Sequence, residues 1–141
     1  MSDDDTPISA LKAEVRRFNQ DRDWEQFHSP RNLVMALSVE VSELMELFLW
    51  CRDEGPQPPV AARQAQVVEE LGDVGILLLN LADRLGVDLT EAIQAKIAYN
   101  AAKYPVALSR GRLEKAGELR AAAGTAGTAG TAVSGEKDQG G

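Results

Sequence analysis

The sequence predicts an all-α fold: a four-helix protomer that assembles into an oligomeric helical bundle and carries a disordered C-terminal tail. Three observations predict it. No stretch alternates apolar and polar residues as a half-buried strand does, and the β-branched residues fall inside helical periods. Start and stop signals delimit four segments. Two of those segments are apolar nearly all the way round, which asks for burial on more sides than one small protomer supplies.

The first helix opens at Thr6-Pro7, a cap residue followed by Pro at the first helical position. Ile8, Leu11, Val15 and Phe18 then recur at helical spacing to about Gln20. Asp21 to Ser29 is a polar and aromatic connector. Ser29-Pro30 repeats the start signal, and a second helix runs to about Arg52. Asp53 to Pro59 holds a Gly and three Pro and is a loop. A third helix runs from about Val60 to Leu85 and stops at Gly86. Asp88 with Glu91 resembles a capping box for a fourth helix, which ends before Pro105. Residues 7–120 thus read as one domain behind a flexible N-terminus of residues 1–6. From Ala121 the chain is Gly-Thr-Ala repeats and a polar, Gly-rich end, too poor in apolar surface to offset its ordering entropy. It is read as disordered and without catalytic role.

With 141 residues, 44% of them hydrophobic, the chain can bury one modest core. Its net charge of −7 argues against a nucleic-acid backbone as partner but not against a single nucleotide, which needs only a local cationic pocket. Cys51 is alone and cannot form an intrachain disulfide. The acidic start, Met1 to Asp5, lacks the basic-then-apolar order of a signal peptide. The longest charge-free apolar stretch, Val74 to Ala82, is far shorter than the ~20 residues of a membrane span. The expectation is a cytoplasmic protein with no membrane and no nucleic-acid partner.

The apolar helices carry the chemistry. Glu40, Glu43 and Glu46 stand three apart in the second helix with no Lys or Arg between Arg31 and Arg52. In the third, Glu69, Glu70 and Asp73 lie among Val67, Leu71, Val74 and Leu77, with no basic residue between Arg63 and Arg84. Gly72 and Gly75 flank Asp73 and would admit a neighbouring helix or a ligand. Uncompensated carboxylates in apolar helices need protons, cations or metal. Two E-x-x-[ED] pairs offer hard oxygen donors suited to Mg²⁺ or Mn²⁺, and Mg²⁺ commonly shares its ligands with substrate phosphates. A single such pair is more often a solvated face; two pairs without a polar face to spare weigh toward metal. A di-iron bundle would need E-x-x-H pairs, and the one histidine, His28, lies in a connector.

On the fourth helix Lys96, Asn100 and Lys103 share a face, with Ile93 and Ile97 as the core face. Alone this is an ordinary cationic surface; beside an acidic metal site it becomes a triphosphate clamp. Trp24, Phe27 and His28 precede the second helix and Trp50 lies at its end. Phe27 reads as packing, and the others suit stacking on a nucleobase.

Four motifs in order resemble the MazG-like nucleotide pyrophosphohydrolases: Asp23-Trp24-Glu25-Gln26-Phe27-His28 with Pro30-Arg31-Asn32-Leu33, Glu40-Val41-Ser42-Glu43-Leu44, Glu69-Glu70-Leu71-Gly72-Asp73-Val74, and Lys96 to Pro105. The first run and the Trp after the second helix are similar in particular to the dCTP pyrophosphatases of that family. The resemblance covers about residues 8–112. It implies a MazG-like four-helix protomer in a homo-oligomer, a dimer or tetramer. It implies Mg²⁺-dependent cleavage of a nucleoside triphosphate, dCTP or a related pyrimidine dNTP, to monophosphate and pyrophosphate. Glu40, Glu43, Glu70 and Asp73 would be metal ligands; Glu40 and Glu43 are the candidates for accepting the water proton, with Glu46 or Glu69 as alternatives acting from behind the ligands. Trp24, His28 and Trp50 would shape the base pocket, and Lys96, Asn100, Lys103 and Tyr104 would contact sugar and phosphates. Ala98 stands where family members often carry Asp. The competing readings are a non-catalytic helical module that binds a nucleotide or a protein, and a pyrophosphohydrolase of another substrate such as phosphoribosyl-ATP.

Overall fold

The computed structural model describes residues 2, 4–49 and 63–121. Among them no strand occurs, and no helix is long and apolar enough to cross a membrane. Trp50, the Pro-rich loop and the tail beyond Ala121 lie outside the described residues. The chain divides into two compact units, residues 1–92 and 93–141, and the boundary falls inside one helix.

The first unit holds α1 (Ile8–Gln20), a 3₁₀ turn (Trp24–Gln26), α2 (Pro30–Glu46), α3 (Gln64–Arg84) and the start of α4 (Leu89–Lys103). Ser29 caps α2 as expected, its hydroxyl accepting from the Asn32 amide at 3.2 Å. Thr6 does not cap α1. Pro7 itself takes the extended cap conformation, and the Thr6 Oγ1 is buried without a partner. α2 ends at Glu46 rather than near Arg52. The amides of Leu47, Phe48 and Leu49 bond back to the carbonyls three residues earlier, so the last turn tightens and unwinds. Gly86 adopts φ 66°, closing α3, and the Asp88 carboxylate accepts from the Glu91 amide at 3.0 Å to start α4.

α3 is the central element, packed against both α2 and α1. Three contacts set an antiparallel α2–α3 register. Arg63 Nη1 donates to the Leu47 carbonyl at 2.8 Å, Glu70 faces Glu40 and Glu43, and Asn80 Nδ2 meets His28 Nδ1 at 3.0 Å. Leu33 and Ala82 are buried here together with two polar residues, Asn19 and Asn80. Beyond that small core the apolar faces stay open: Val34, Met35, Val39, Val41 and Met45 on α2, and Val68, Leu71, Ile76 and Leu78 on α3, are exposed. No described helix presses on Gly72 or Gly75, since a Cβ at either would meet nothing within 4 Å. The expected close helix contact is therefore not made among these residues.

An ionic clasp ties α1 to α3. Arg16 Nε donates to Asp83 Oδ2 at 2.8 Å and its Nη2 to Oδ1, while Lys12 Nζ stands 3.9 Å from Oδ1 and donates to the Val87 carbonyl at 3.1 Å. The Arg16 hydrogen bonds hold the Asp83 carboxyl below its ordinary pKa. A depressed carboxylate contributes stability above its unfolded pKa and loses it as pH falls through the folded one. Asp83→Asn should lower the melting midpoint by roughly 2–5 °C at neutral pH. The deficit should shrink only as pH falls below about 4 and on through the depressed folded-state value, as the wild-type carboxylate becomes protonated too. Calorimetry across pH 3–8 checks it, and a deficit that persists at acid pH contradicts an ionic origin.

The second unit holds the rest of α4, α5 (Val106–Ser109) and a closing helix, α6, over 116–121. Ala116 and Leu119 are buried, and the Glu118 carboxylate accepts from the Lys115 amide at 2.9 Å at the start of α6. α5 and α6 extend beyond the four helices expected. From Thr90 to Lys103 α4 is exposed, Ile93 and Ile97 included, so the core face expected for it is uncovered among the described residues.

Candidate metal and nucleotide site

The antiparallel register brings one oxygen each of Glu40, Glu43 and Glu70 within 4.8 Å of one another. Residues 40 and 43 share a face of α2 because they are three apart, and residue 70 answers them from α3. None of the three, nor Asp73, pairs with a Lys or Arg among the described residues. The electrostatics register the crowding. The Glu40 carboxyl is held above its ordinary pKa by loss of solvent first, then by Glu43, Asp73 and Glu70. Glu70 is raised likewise by loss of solvent, then by Glu43, Asp73 and Glu69. Asp73 lies outside the tight trio but inside its field. Glu46 and Glu69 are exposed and do not join the trio.

This donor set fits a hard divalent cation. It offers only carboxylate oxygens, it lacks an internal counter-charge among the described residues, and it gathers charge that would otherwise repel.

A cleft of about 290 Å³ opens beside the acids. Glu40 and Asp73 stand in its wall together with Trp24, His28, Phe18, Asn19 and Asn80. Trp24 is held edge-on between Phe18, at 5.8 Å between ring centroids and 77°, and His28, at 6.3 Å and 73°. Arg22 lies 3.7 Å over the Phe18 ring, 6.0 Å from the Trp24 ring, and donates to the Phe18 carbonyl. Asp23, at φ 52°, turns the chain so that the 3₁₀ segment presents Trp24 to the cleft. Phe27, expected to pack, is instead 60% exposed. Its carbonyl accepts from Asn32 Nδ2 at 2.9 Å.

Sequence reasoning missed Phe18, Asn19 and Asn80. Phe18 read as part of the apolar stripe of α1. The two asparagines carried only one signal, a polar residue at a position turned toward apolar neighbours.

In the second unit Lys96 and Lys103 lie over Tyr99 and Tyr104, with Nζ 4.7 and 5.5 Å from the ring centroids. Lys96, Asn100 and Lys103 are exposed and Tyr104 is half-buried.

Among the described residues, whose regular structure is all helical, the E-x-x-[ED] motifs of α2 and α3 face each other beside an aromatic cleft. Residues 35–119 match the model of the MazG-like family, and the chain belongs to that family. It is 51% identical to dCTP pyrophosphatase 1 of Bos taurus over 106 residues, which is 74% of this chain and 61% of that protein. It is 52% identical to a dATP/dGTP diphosphohydrolase of Cyanophage S-2L, over 48% of this chain and 79% of the phage protein. Among solved structures it is similar to a pyrophosphatase of Archaeoglobus fulgidus, with a TM-score of 0.66 and 36% identity over 70% of this chain and 92% of that one. The chain spans about three fifths of the length of the mammalian relative.

Proposed function

We propose that this protein hydrolyses a pyrimidine deoxynucleoside triphosphate, dCTP or a close relative, to the monophosphate and pyrophosphate. The observation that carries the reading is the trio Glu40, Glu43 and Glu70, without a basic partner among the described residues, beside a cleft walled by Trp24 and His28. Glu40, Glu43, Glu70 and Asp73 would hold Mg²⁺, or Mn²⁺ with the same donors. Such an ion neutralises triphosphate charge and activates water at neutral pH. Glu40 belongs both to the trio and to the cleft wall, and so is the first candidate to accept the proton of the attacking water, with Glu43 beside it. Trp24 and His28 would stack on and orient the base, Trp50 being a further candidate outside the described residues. Lys96, Asn100, Lys103 and Tyr104 are proposed as contacts for sugar and phosphates. Relatives named for dCTP and for dATP/dGTP both resemble this chain, so base choice rests on local residues rather than on the fold. A cytoplasmic location, where nucleotide pools are sanitised, belongs to the same reading. Incubating the full chain with canonical dNTPs, with Mg²⁺ or with EDTA, tests it. Mg²⁺-dependent conversion of dCTP to dCMP and pyrophosphate is expected, and no turnover of any triphosphate overturns the proposal.

A homo-oligomer, at least a dimer and by family resemblance a tetramer, completes the proposal. Its support is the open apolar surface of α2 and α3, from Val34 to Met45 and from Val68 to Leu78. Light scattering at low micromolar concentration should give at least twice the mass of 15.2 kDa. A fully active monomer would contradict it.

A further inference from the structure

The second unit carries a cavity that the chemistry above does not use. Tyr99, Ala102 and Lys103 share a face of α4 through their helical spacing, and Ala116, Gly117 and Arg120 share a face of α6. Together they line a pocket of about 410 Å³. It shares no residue with the cleft that Trp24 and His28 wall. Of its residues only Lys103 is among the contacts proposed for substrate.

The charges in this pocket are of one sign. Lys103 and Arg120 line it and no carboxylate does, in a chain whose net charge is −7. The acids nearest in sequence are engaged elsewhere. Glu114 accepts from Arg112 Nη2 at 2.6 Å, and Glu118 accepts from the Lys115 amide at 2.9 Å. The Arg120 guanidinium makes no ion pair or hydrogen bond among the described residues. Lys96 adds a further cation beside the pocket, its Nζ 4.7 Å over the Tyr99 ring. The rest of the lining is that ring and three residues with at most a methyl side chain. The volume is that of a small-molecule site and larger than a bare phosphate needs. Paired cations ask for a phosphate, and arginine grips one through two parallel N–H donors. The ring and the small residues offer an apolar surface to whatever carries that phosphate.

We propose that this pocket is a second, metal-independent binding site for a small phosphate ester that carries a ring, the chemistry of a nucleoside monophosphate. Arg120 and Lys103 take the phosphate, and Tyr99 lies against the ring. No divalent ion is needed, because the lining supplies cations rather than carboxylates. Gly117 keeps the space open. A Cβ there would meet nothing within 4 Å, so a larger side chain can enter the pocket without displacing backbone.

The test titrates AMP, adenosine and inorganic phosphate into the full chain in EDTA, followed by calorimetry. AMP should bind at millimolar concentration or below, and more tightly than either fragment. Arg120→Gln should weaken AMP by at least about tenfold, as expected for one lost charge-assisted hydrogen bond. Gly117→Leu fills the pocket and should abolish binding, while the melting midpoint holds or rises because glycine is a poor helix former. Trp24→Ala, which strips the base cleft, should leave AMP binding unchanged. The titration needs neither metal nor turnover, so its outcome is independent of whether dCTP is hydrolysed. Absence of AMP binding overturns the proposal. So does binding that Trp24→Ala removes and Gly117→Leu spares, which places the nucleotide in the base cleft. Phosphate bound as tightly as AMP overturns the claim of a ring-bearing ligand. If Gly117→Leu does not fold, Arg120→Gln, a change at an exposed side chain, decides alone, and wild-type affinity there overturns the proposal.

Discussion

Glu43→Gln and Asp73→Asn are each expected to cut pyrophosphate release from dCTP by upward of about a hundredfold, while the metal-free protein keeps or gains thermal stability. Partners that merely orient metal ligands already cost ~10–100-fold when lost, so a proposed ligand should cost more. The stability half follows from the repulsion. Glu43 is the leading charged contributor to the raised pKa of both Glu40 and Glu70. A carboxyl whose folded pKa is raised is a stability cost when ionised. The cost is absent at pH below the ordinary carboxylate range and grows as pH rises through the raised value. Metal-free wild type should thus lose stability across that window, and Glu43→Gln should flatten the loss. Steady-state kinetics and thermal melts with EDTA, run on the same samples, check both halves. Near-wild-type turnover by either variant would remove the acids from the site, and a melt lowered by several degrees would make them structural.

The second large effect concerns Trp24. Stacking of a base on an aromatic ring contributes about 1–3 kcal/mol per base, so Trp24→Ala should raise KM for the preferred dNTP roughly 10- to 100-fold and change kcat much less. Trp24 also touches Phe18 and His28 edge-on, and its removal loosens the cleft wall as well as the stack. Trp24→Phe separates the two, because a ring that still stacks should recover most of the affinity. A kcat collapse with unchanged KM would place Trp24 in positioning the reacting phosphates rather than the base.

How much of this was legible in the sequence depends on the range of the interaction. Helix identities came through because capping and periodicity are local: Ser29-Pro30, Asp88 with Glu91 and Gly86 act where their spacing says. The acid pairs were visible because three-residue spacing fixes a face, and only the α2–α3 register, set at Arg63–Leu47 and Asn80–His28, was needed to join them. What failed was the choice between close local alternatives and the reach of single residues across elements. Thr6 and Pro7 compete for the same cap, and the chain uses Pro7. The end of α2 turns on i→i−3 bonding that composition does not reveal. Ile93 and Ile97 have helical spacing, but spacing says nothing of what covers a face. Asn19 and Asn80 sit 61 residues apart in the sequence, on different helices, and only the fold puts them in one wall.

The central claim is that the carboxylates on α2 and α3 direct water onto a nucleoside triphosphate so that pyrophosphate leaves as a unit. Turnover of dCTP in H₂¹⁸O with Mg²⁺, followed by mass spectrometry of both products, tests it most directly. Attack at the α-phosphorus predicts one ¹⁸O in dCMP and none in pyrophosphate, with no inorganic phosphate formed early. Label in pyrophosphate, or release of inorganic phosphate with dCDP, would contradict it.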